Sequence, residues 1–357
     1  MTTTECVVVK IGTSSVTTES GSVDHDVLHA VARDVAALRA AGVACVVVTS
    51  GAITAGWAEV GAGARRPSDA VTLQAVSAVG QPLLMDAWRA AFAKEGLSVG
   101  QVLLAPLDFS HRAQYLHARR TVAALLDLGV VPIVNENDAV ADEEIRFGDN
   151  DRLAALVANL VGASELVLLT DTPGLLTADP RLDPSATLIE EVEAIDRDLE
   201  NLAGQSRSGV GSGGMASKLA AARIATWSGV AAIIAPARVP TPLVSAHERR
   251  AGAGTFFHPR EDRLGARKAW IAFAVAPEGR VHLNEGAVAA LVGSGRSLLR
   301  VGVTSVEGAF LAGDVIDVLG PSGSLVARGI SRADADDFAE GPNVIVHRDD
   351  LVVLLSA

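Results

Sequence analysis

The sequence predicts an α/β protein in two parts: a doubly wound, mainly parallel sheet over residues 1–258, then a linker at 259–270 and a small, mostly β module at 271–357. Three observations carry this. The chain of 357 residues is long for one core. Short β-branched runs alternate with amphipathic stretches through its first two thirds. Around His258 the pattern gives way to the charged HPREDRLGARK and then to short alternating segments with turn signals.

The runs are CVVVKIG from Cys6, CVVVTSG from Cys45, VLLAP from Val102, VVPIVNEN from Val130, LVLLTD from Leu166 and AAIIAPA from Ala231. Near-continuous apolar strands of this kind are buried on both faces of a parallel sheet. Between them, segments such as Val27 to Ala41 and Arg119 to Leu128 repeat apolar residues at i, i+3, i+4 and i+7, the stripe of a helix on a sheet face. After the linker, FAVAPEGRVHL, GDVIDVLGPSGSLVARGIS and NVIVHRDDLVVLL read as strands with little helix.

Composition narrows function. With 49% hydrophobic and 20% charged residues, the chain has ample material for packed cores. No apolar run approaches the ~20 residues of a membrane span, and the start lacks a basic region before an apolar stretch, so cytoplasmic residence is expected. Cys6 and Cys45 each open an apolar run and read as buried free thiols. A net charge of −12 opposes nonspecific binding to nucleic acid or an anionic membrane, which leaves small ligands. Only four of the 30 basic residues are lysine, at Lys10, Lys94, Lys218 and Lys268. In so arginine-rich a chain, a retained lysine suggests a need for a compact point charge, and Lys10 and Lys218 fall inside motifs.

In open parallel sheets the ligand lies beyond the carboxyl ends of the strands. Here those ends are polar: Lys10-Ile11-Gly12-Thr13-Ser14, Thr49-Ser50-Gly51-Ala52, Asn135-Glu136-Asn137-Asp138 and Thr170-Asp171. Each alone reads equally as a turn or cap; four together gather a cation, hydroxyls, glycine amides and carboxylates on one edge. A second glycine segment, Gly209 to Lys218, runs into a helix expected from Met215 to Trp227 and so has the parts of an anion site. It satisfies GxGxxG, but polar NLAGQSRS precedes it instead of a strand, and the spacing to Lys218 is not that of a P-loop. The turn Phe147-Gly148-Asp149-Asn150-Asp151 either caps the following helix or recognises an ammonium-bearing substrate. Both readings stand.

Taken together, Lys10-Ile11-Gly12-Thr13-Ser14, VTSGAITAG, NENDAV, GDND, LLTDTPGLLTADPR and GSGGMASK resemble the amino acid kinase family, and within it the glutamate 5-kinases. The C-terminal module resembles the PUA domain, a small pseudo-barrel. The resemblance implies ATP-dependent phosphorylation of the γ-carboxylate of L-glutamate to L-glutamyl 5-phosphate, the first step of proline synthesis, with proline as feedback inhibitor; the chemistry of phosphoryl transfer adds Mg²⁺, carried largely on the nucleotide. It implies that Lys10 and Lys218 flank the transferring phosphoryl group and that Asp171 orders them. It places Ser50, Gly51, Ala52, Asn135, Asp138, Asp149, Asn150 and Asp151 at the glutamate site. It places Lys10, Thr170, Asp171, Ser212, Gly213, Gly214, Met215, Ala216, Ser217 and Lys218 at ATP. It also implies a homo-oligomer, dimer or tetramer, and a functional link to glutamyl phosphate reductase. The alternatives are a kinase of another acidic metabolite, N-acetylglutamate or aspartate, and an RNA-binding protein acting through the C-terminal module. Six basic residues against eleven acidic ones at 271–357 speak against RNA.

Overall fold

The computed structural model describes residues 5–61, 66–105, 108–109, 111–140, 150–196, 198–200, 202, 214–336, 338 and 340–355. Two compact units divide the chain, Met1–Arg263 and Leu264–Ala357.

Among the described residues, the first unit is built on eight strands, β1 (Cys6–Ile11), β2 (Ala44–Val48), β3 (Val99–Leu104), β4 (Val131–Glu136), β5 (Glu165–Thr170), β6 (Glu191–Val192), β7 (Ala231–Pro236) and β8 (Thr255–Phe257). Their order is β3-β4-β2-β1-β5-β7-β8-β6, and every pairing is parallel except β7 with β8. From β1 the chain winds outward to β2, β3 and β4, then returns to place β5 on the other side of β1. The carboxyl edge between β1 and β5 is therefore the switch point at which such sheets bind ligands.

The predicted runs form the strands because Val and Ile fill both faces of a sheet covered on both sides. Val7, Val9 and Ile11 of β1, Cys45 and Val47 of β2 and Val167 and Leu169 of β5 join one core with Leu28 and Val31 of α2 (His25–Ala40), Leu84 and Trp88 of α4 (Ala70–Ala93) and Leu243 of α8 (Pro242–His247). A strand's side chains alternate, so Val8 and Lys10 face the opposite layer. There α6 (Asn150–Val161) packs on β1, α7 (Met215–Trp227) packs on β7, and the two helices pack on each other. The shorter α1 (Thr13–Val16) and α3 (Ala52–Val60) follow β1 and β2 directly. Between β3 and β4 lies α5 (Arg112–Asp127), which begins earlier than the sequence stripe from Arg119.

The second unit carries a five-stranded sheet, order β11-β9-β12-β13-β15, and a two-stranded pair of β10 (Leu298–Leu299) with β14 (Val344–Val346). The five strands are β9 (Gly279–Leu283), β11 (Val303–Gly308), β12 (Val315–Leu319), β13 (Leu325–Ile330) and β15 (Leu351–Val353). Val281, Phe310, Ile316, Val318, Val326 and Ile345 form its core. Two readings need correction. FAVAPEGRVHL is a strand only from Gly279, because Trp270–Ala274 is helical and continues from α9 (Ala266–Ala269). The module also holds a ten-residue helix, α10 (Glu285–Ser294), started by Asn284, whose side chain accepts from Ala287 N.

Candidate active site

The site starts from the alternation of β1. Lys10 is the last residue of β1 on the α6–α7 side, and its side chain is buried, 5% exposed. Asp151, 1% exposed, occupies the first turn of α6, where the helix dipole favours an anion. Lys218 lies in the first turn of α7, which opens at Gly214. The three converge: Lys10 Nζ lies 2.5 Å from Asp151 Oδ1 and Lys218 Nζ 3.3 Å from Asp151 Oδ2. Ser217 Oγ donates to the same Oδ2 at 2.7 Å. Burial pushes the Asp151 carboxyl up, but the ammonium groups of Lys10 and Lys218, with the Ser217 hydroxyl, outweigh it and hold the pKa down at about 2. Two ammonium groups thus meet at the switch point, where preorganised cations suit a phosphoryl group.

Beside this bridge lies a cluster of amides and carboxylates. Asn150 shares its Nδ2 hydrogens among Thr49 O at 2.8 Å, Ser50 Oγ at 2.9 Å and Asn135 Oδ1 at 2.9 Å, tying the ends of β2 and β4 to the start of α6. Asn135 Oδ1 also accepts from Glu136 N at 2.9 Å. Among the described residues, Asn135 Nδ2 and Asn150 Oδ1 are left buried with no partner, one donor and one acceptor. Such atoms carry a desolvation cost that a polar ligand would relieve. Asp138, just beyond β4, accepts a hydrogen bond from Ser77 Oγ of α4 at 2.5 Å. Burial pushes its carboxyl above the usual range, and the Ser77 bond opposes that.

The backbone at the end of β2 is shaped by glycine. Gly51 has φ 104°, a left-handed conformation open to glycine, and it starts α3 at Ala52. Helices α3 and α4 then approach so closely that a Cβ on Gly80 would sit 1.8 Å from Ala52 O, and one on Gly56 2.0 Å from Val76 O. At the end of β5, Thr170 Oγ1 donates to Asp171 Oδ1 at 3.0 Å, and Thr170 O accepts from Ala237 N at 2.7 Å.

The structure thus gathers Lys10, Lys218, Asp151 and Ser217 at one point and Ser50, Asn135, Asn150 and Asp138 beside it. Gly214, Met215 and Ala216 form the entry to α7. Asp149, Ser212 and Gly213 lie outside the described residues. One expectation changes: the carboxylate that orders the lysines is Asp151, whereas Asp171 is exposed and bonds to Thr170. The sequence reading placed Thr49 at a polar strand end without a role of its own, and it missed Ser77 and Trp88, whose Nε1 donates to Thr49 Oγ1 at 3.0 Å. Polar residues inside an apolar helical stripe leave no mark in the pattern beyond the break in the stripe itself.

Residues 5–236 match the model of the amino acid kinase family. The chain belongs to the amino acid kinase family. A second match covers residues 279–341 and is to the PUA domain, the class of the mostly β unit. This amino acid kinase is 50% identical to the glutamate 5-kinase of Frankia casuarinae over 98% of this chain and 97% of that one. It is 48% identical to the glutamate 5-kinase of Salinispora arenicola, again over 98% and 97%. Among solved structures, the carbamate kinase of Giardia lamblia bound to AMP-PNP superposes with a TM-score of 0.52 at 17% identity, over 72% of this chain and 99% of that one. That likeness carries the fold alone. Among the described residues no helix is long and apolar enough to cross a membrane.

Proposed function

We propose that this amino acid kinase transfers the γ-phosphoryl group of ATP to the γ-carboxylate of L-glutamate, giving ADP and L-glutamyl 5-phosphate. The reading is supported by near-full-length relatives that are glutamate 5-kinases. The observation that carries it is the buried Lys10–Asp151–Lys218 bridge set against the Asn150, Asn135, Ser50 and Asp138 cluster.

Phosphoryl transfer spreads negative charge over the equatorial oxygens, so its catalyst positions and neutralises. The two ammonium groups do this. They are held close to Asp151, placed to face a phosphoryl group with no reorganisation at the moment of transfer. The acceptor is a carboxylate, ionised near neutral pH, so an oxygen of the glutamate side chain attacks phosphorus, the bond to ADP breaks, and no proton has to be removed. Asp138 would take the α-ammonium group, while Asn135 Nδ2 and Asn150 Oδ1, without a partner among the described residues, would supply a donor and an acceptor to the polar groups of the amino acid. Thr170 and Asp171, with Gly214 to Lys218, would receive the nucleotide.

Mg²⁺ fits this edge only as part of the nucleotide complex. Asp151 is committed to the lysines, and among the described residues the grouping with metal-ligand geometry is Glu191, Glu193 and His258, on and after the far-edge strands β6 and β8.

The finer parts of the proposal follow from the product. An acyl phosphate hydrolyses readily, so a reductase acting on glutamyl phosphate is the expected consumer, in the cytoplasm and at the first step of proline synthesis. Proline carries the same ammonium and carboxylate pair and would compete at Asp138 and Asn150, which substitutions there would relieve. A dimer or tetramer is part of the same reading. The test is ATP consumption with hydroxylamine, comparing L-glutamate with N-acetylglutamate, aspartate and uridylate. Hydroxamate with glutamate alone supports the reading; turnover with another acceptor only, or with none, overturns it.

A further inference from the structure

Helix α4 reaches the acceptor cluster at three points, all from one face. Ser77, Gln81 and Trp88 recur at i, i+4 and i+11, in line with buried Leu84 at i+7. Ser77 Oγ donates to Asp138 Oδ2 at 2.5 Å, Gln81 Nε2 to Glu136 O at 3.3 Å, and Trp88 Nε1 to Thr49 Oγ1 at 3.0 Å. Thr49 O in turn accepts from Asn150 Nδ2 at 2.8 Å. Gly80, within the same stretch, lets the helix backbone close on Ala52 O at the start of α3. One helix thus braces the ends of β2 and β4 and the turn that opens α3. None of its three polar side chains belongs to the lysine bridge.

From this geometry we infer that Ser77 is a positioning residue for acceptor recognition, holding the Asp138 carboxylate in the rotamer and charge state that receive an ammonium group. The inference rests on the glutamate reading above. Ser77 is 1% exposed and Asp138 6% exposed, so no water replaces the hydroxyl cheaply. A buried carboxylate deprived of its donor both swings more freely and ionises less readily. The effect falls on the amino acid and not on the nucleotide, because the hydrogen bonds of this helix face go to Asp138, Glu136 and Thr49, on the β2 and β4 side of the edge.

The experiment compares wild type, Ser77→Ala and the near-isosteric Ser77→Cys in the full chain, measuring kcat and KM for glutamate and for ATP across pH. Loss of a hydrogen bond to a charged group corresponds to about a ten- to hundredfold rise in the glutamate KM of Ser77→Ala. The ATP KM stays within about twofold, and the acidic limb of kcat/KM for glutamate moves to higher pH, since the ionised carboxylate is the binding form. Ser77→Cys, a weaker donor of similar size, falls between the two and guards against an alanine variant that does not fold. An unchanged glutamate KM and pH limb in either folded variant, or equal losses for both substrates, overturns the inference while leaving the glutamate reading intact. Wild type that gives no product with glutamate overturns that reading, and the inference with it.

Discussion

Replacing Asp151 with asparagine keeps the shape of the lysine bridge and removes its charge. The variant leaves two ammonium groups, with side chains 5% and 8% exposed, facing a neutral amide in place of a carboxylate 2.5 and 3.3 Å away. Deleting one partner of a buried ion pair costs about 3–5 kcal/mol. A second route considers the carboxylate alone: a pKa lowered from 3.8 to about 2 corresponds to roughly 2 kcal/mol at neutral pH. The expected loss is therefore about 2–5 kcal/mol, a large share of the ~5–15 kcal/mol that holds a domain. Because the folded pKa is depressed, the Asp151 contribution is present above about pH 4 and fades as pH falls towards 2. Urea denaturation at neutral pH reads the loss directly. A non-hydrolysable ATP analogue returns negative charge to the site, so it should raise the variant's midpoint more than that of wild type. A loss below about 1 kcal/mol, with no larger response to the analogue, would refute the claim that Asp151 holds the two lysines at a phosphate site.

Other outcomes follow from the same geometry. Lys10→Arg and Lys218→Arg should each reduce hydroxamate formation by orders of magnitude despite unchanged charge, since a planar fork cannot occupy a point-charge site at 2.5 to 3.3 Å from one carboxylate; near-normal turnover would show that charge alone suffices. Gly80→Ala places a methyl group 1.8 Å from Ala52 O and should cost about 1–3 kcal/mol in urea denaturation by forcing α3 and α4 apart; wild-type stability would contradict the close approach. Asn150→Ala removes the donor shared by Thr49, Ser50 and Asn135 and should raise the glutamate KM at least tenfold with little change for ATP, as steady-state kinetics would register.

Much of the first unit was legible because its strands are simple objects. CVVVK, CVVV and LVLLT are apolar on both faces, and a run that ends in Lys10 or Thr170 marks the carboxyl edge where ligands bind. The lysines stood out against an arginine-rich background. What the pattern could not convey was which carboxylate lies between them. Asp171 follows β5, where the resemblance has it order the lysines, but its side chain is exposed, while the parity of β1 aims Lys10 at α6 and so at Asp151. Ser77 was hidden for a different reason: a lone serine in AVSAVG signals nothing until the helix face and its distant partner are known. The misread segment FAVAP alternates large and small residues, and over five residues that alternation suits a strand or a helical turn equally well.

The central claim is that a glutamate side-chain oxygen attacks the γ-phosphorus of ATP beside Lys10 and Lys218. Glutamate labelled with ¹⁸O in its γ-carboxylate, supplied with ATP and hydroxylamine, tests it directly: hydroxylamine attacks the acyl carbon, so the bridging oxygen leaves with the phosphate. One ¹⁸O in each phosphate released alongside hydroxamate is the expected result. Unlabelled phosphate would contradict it.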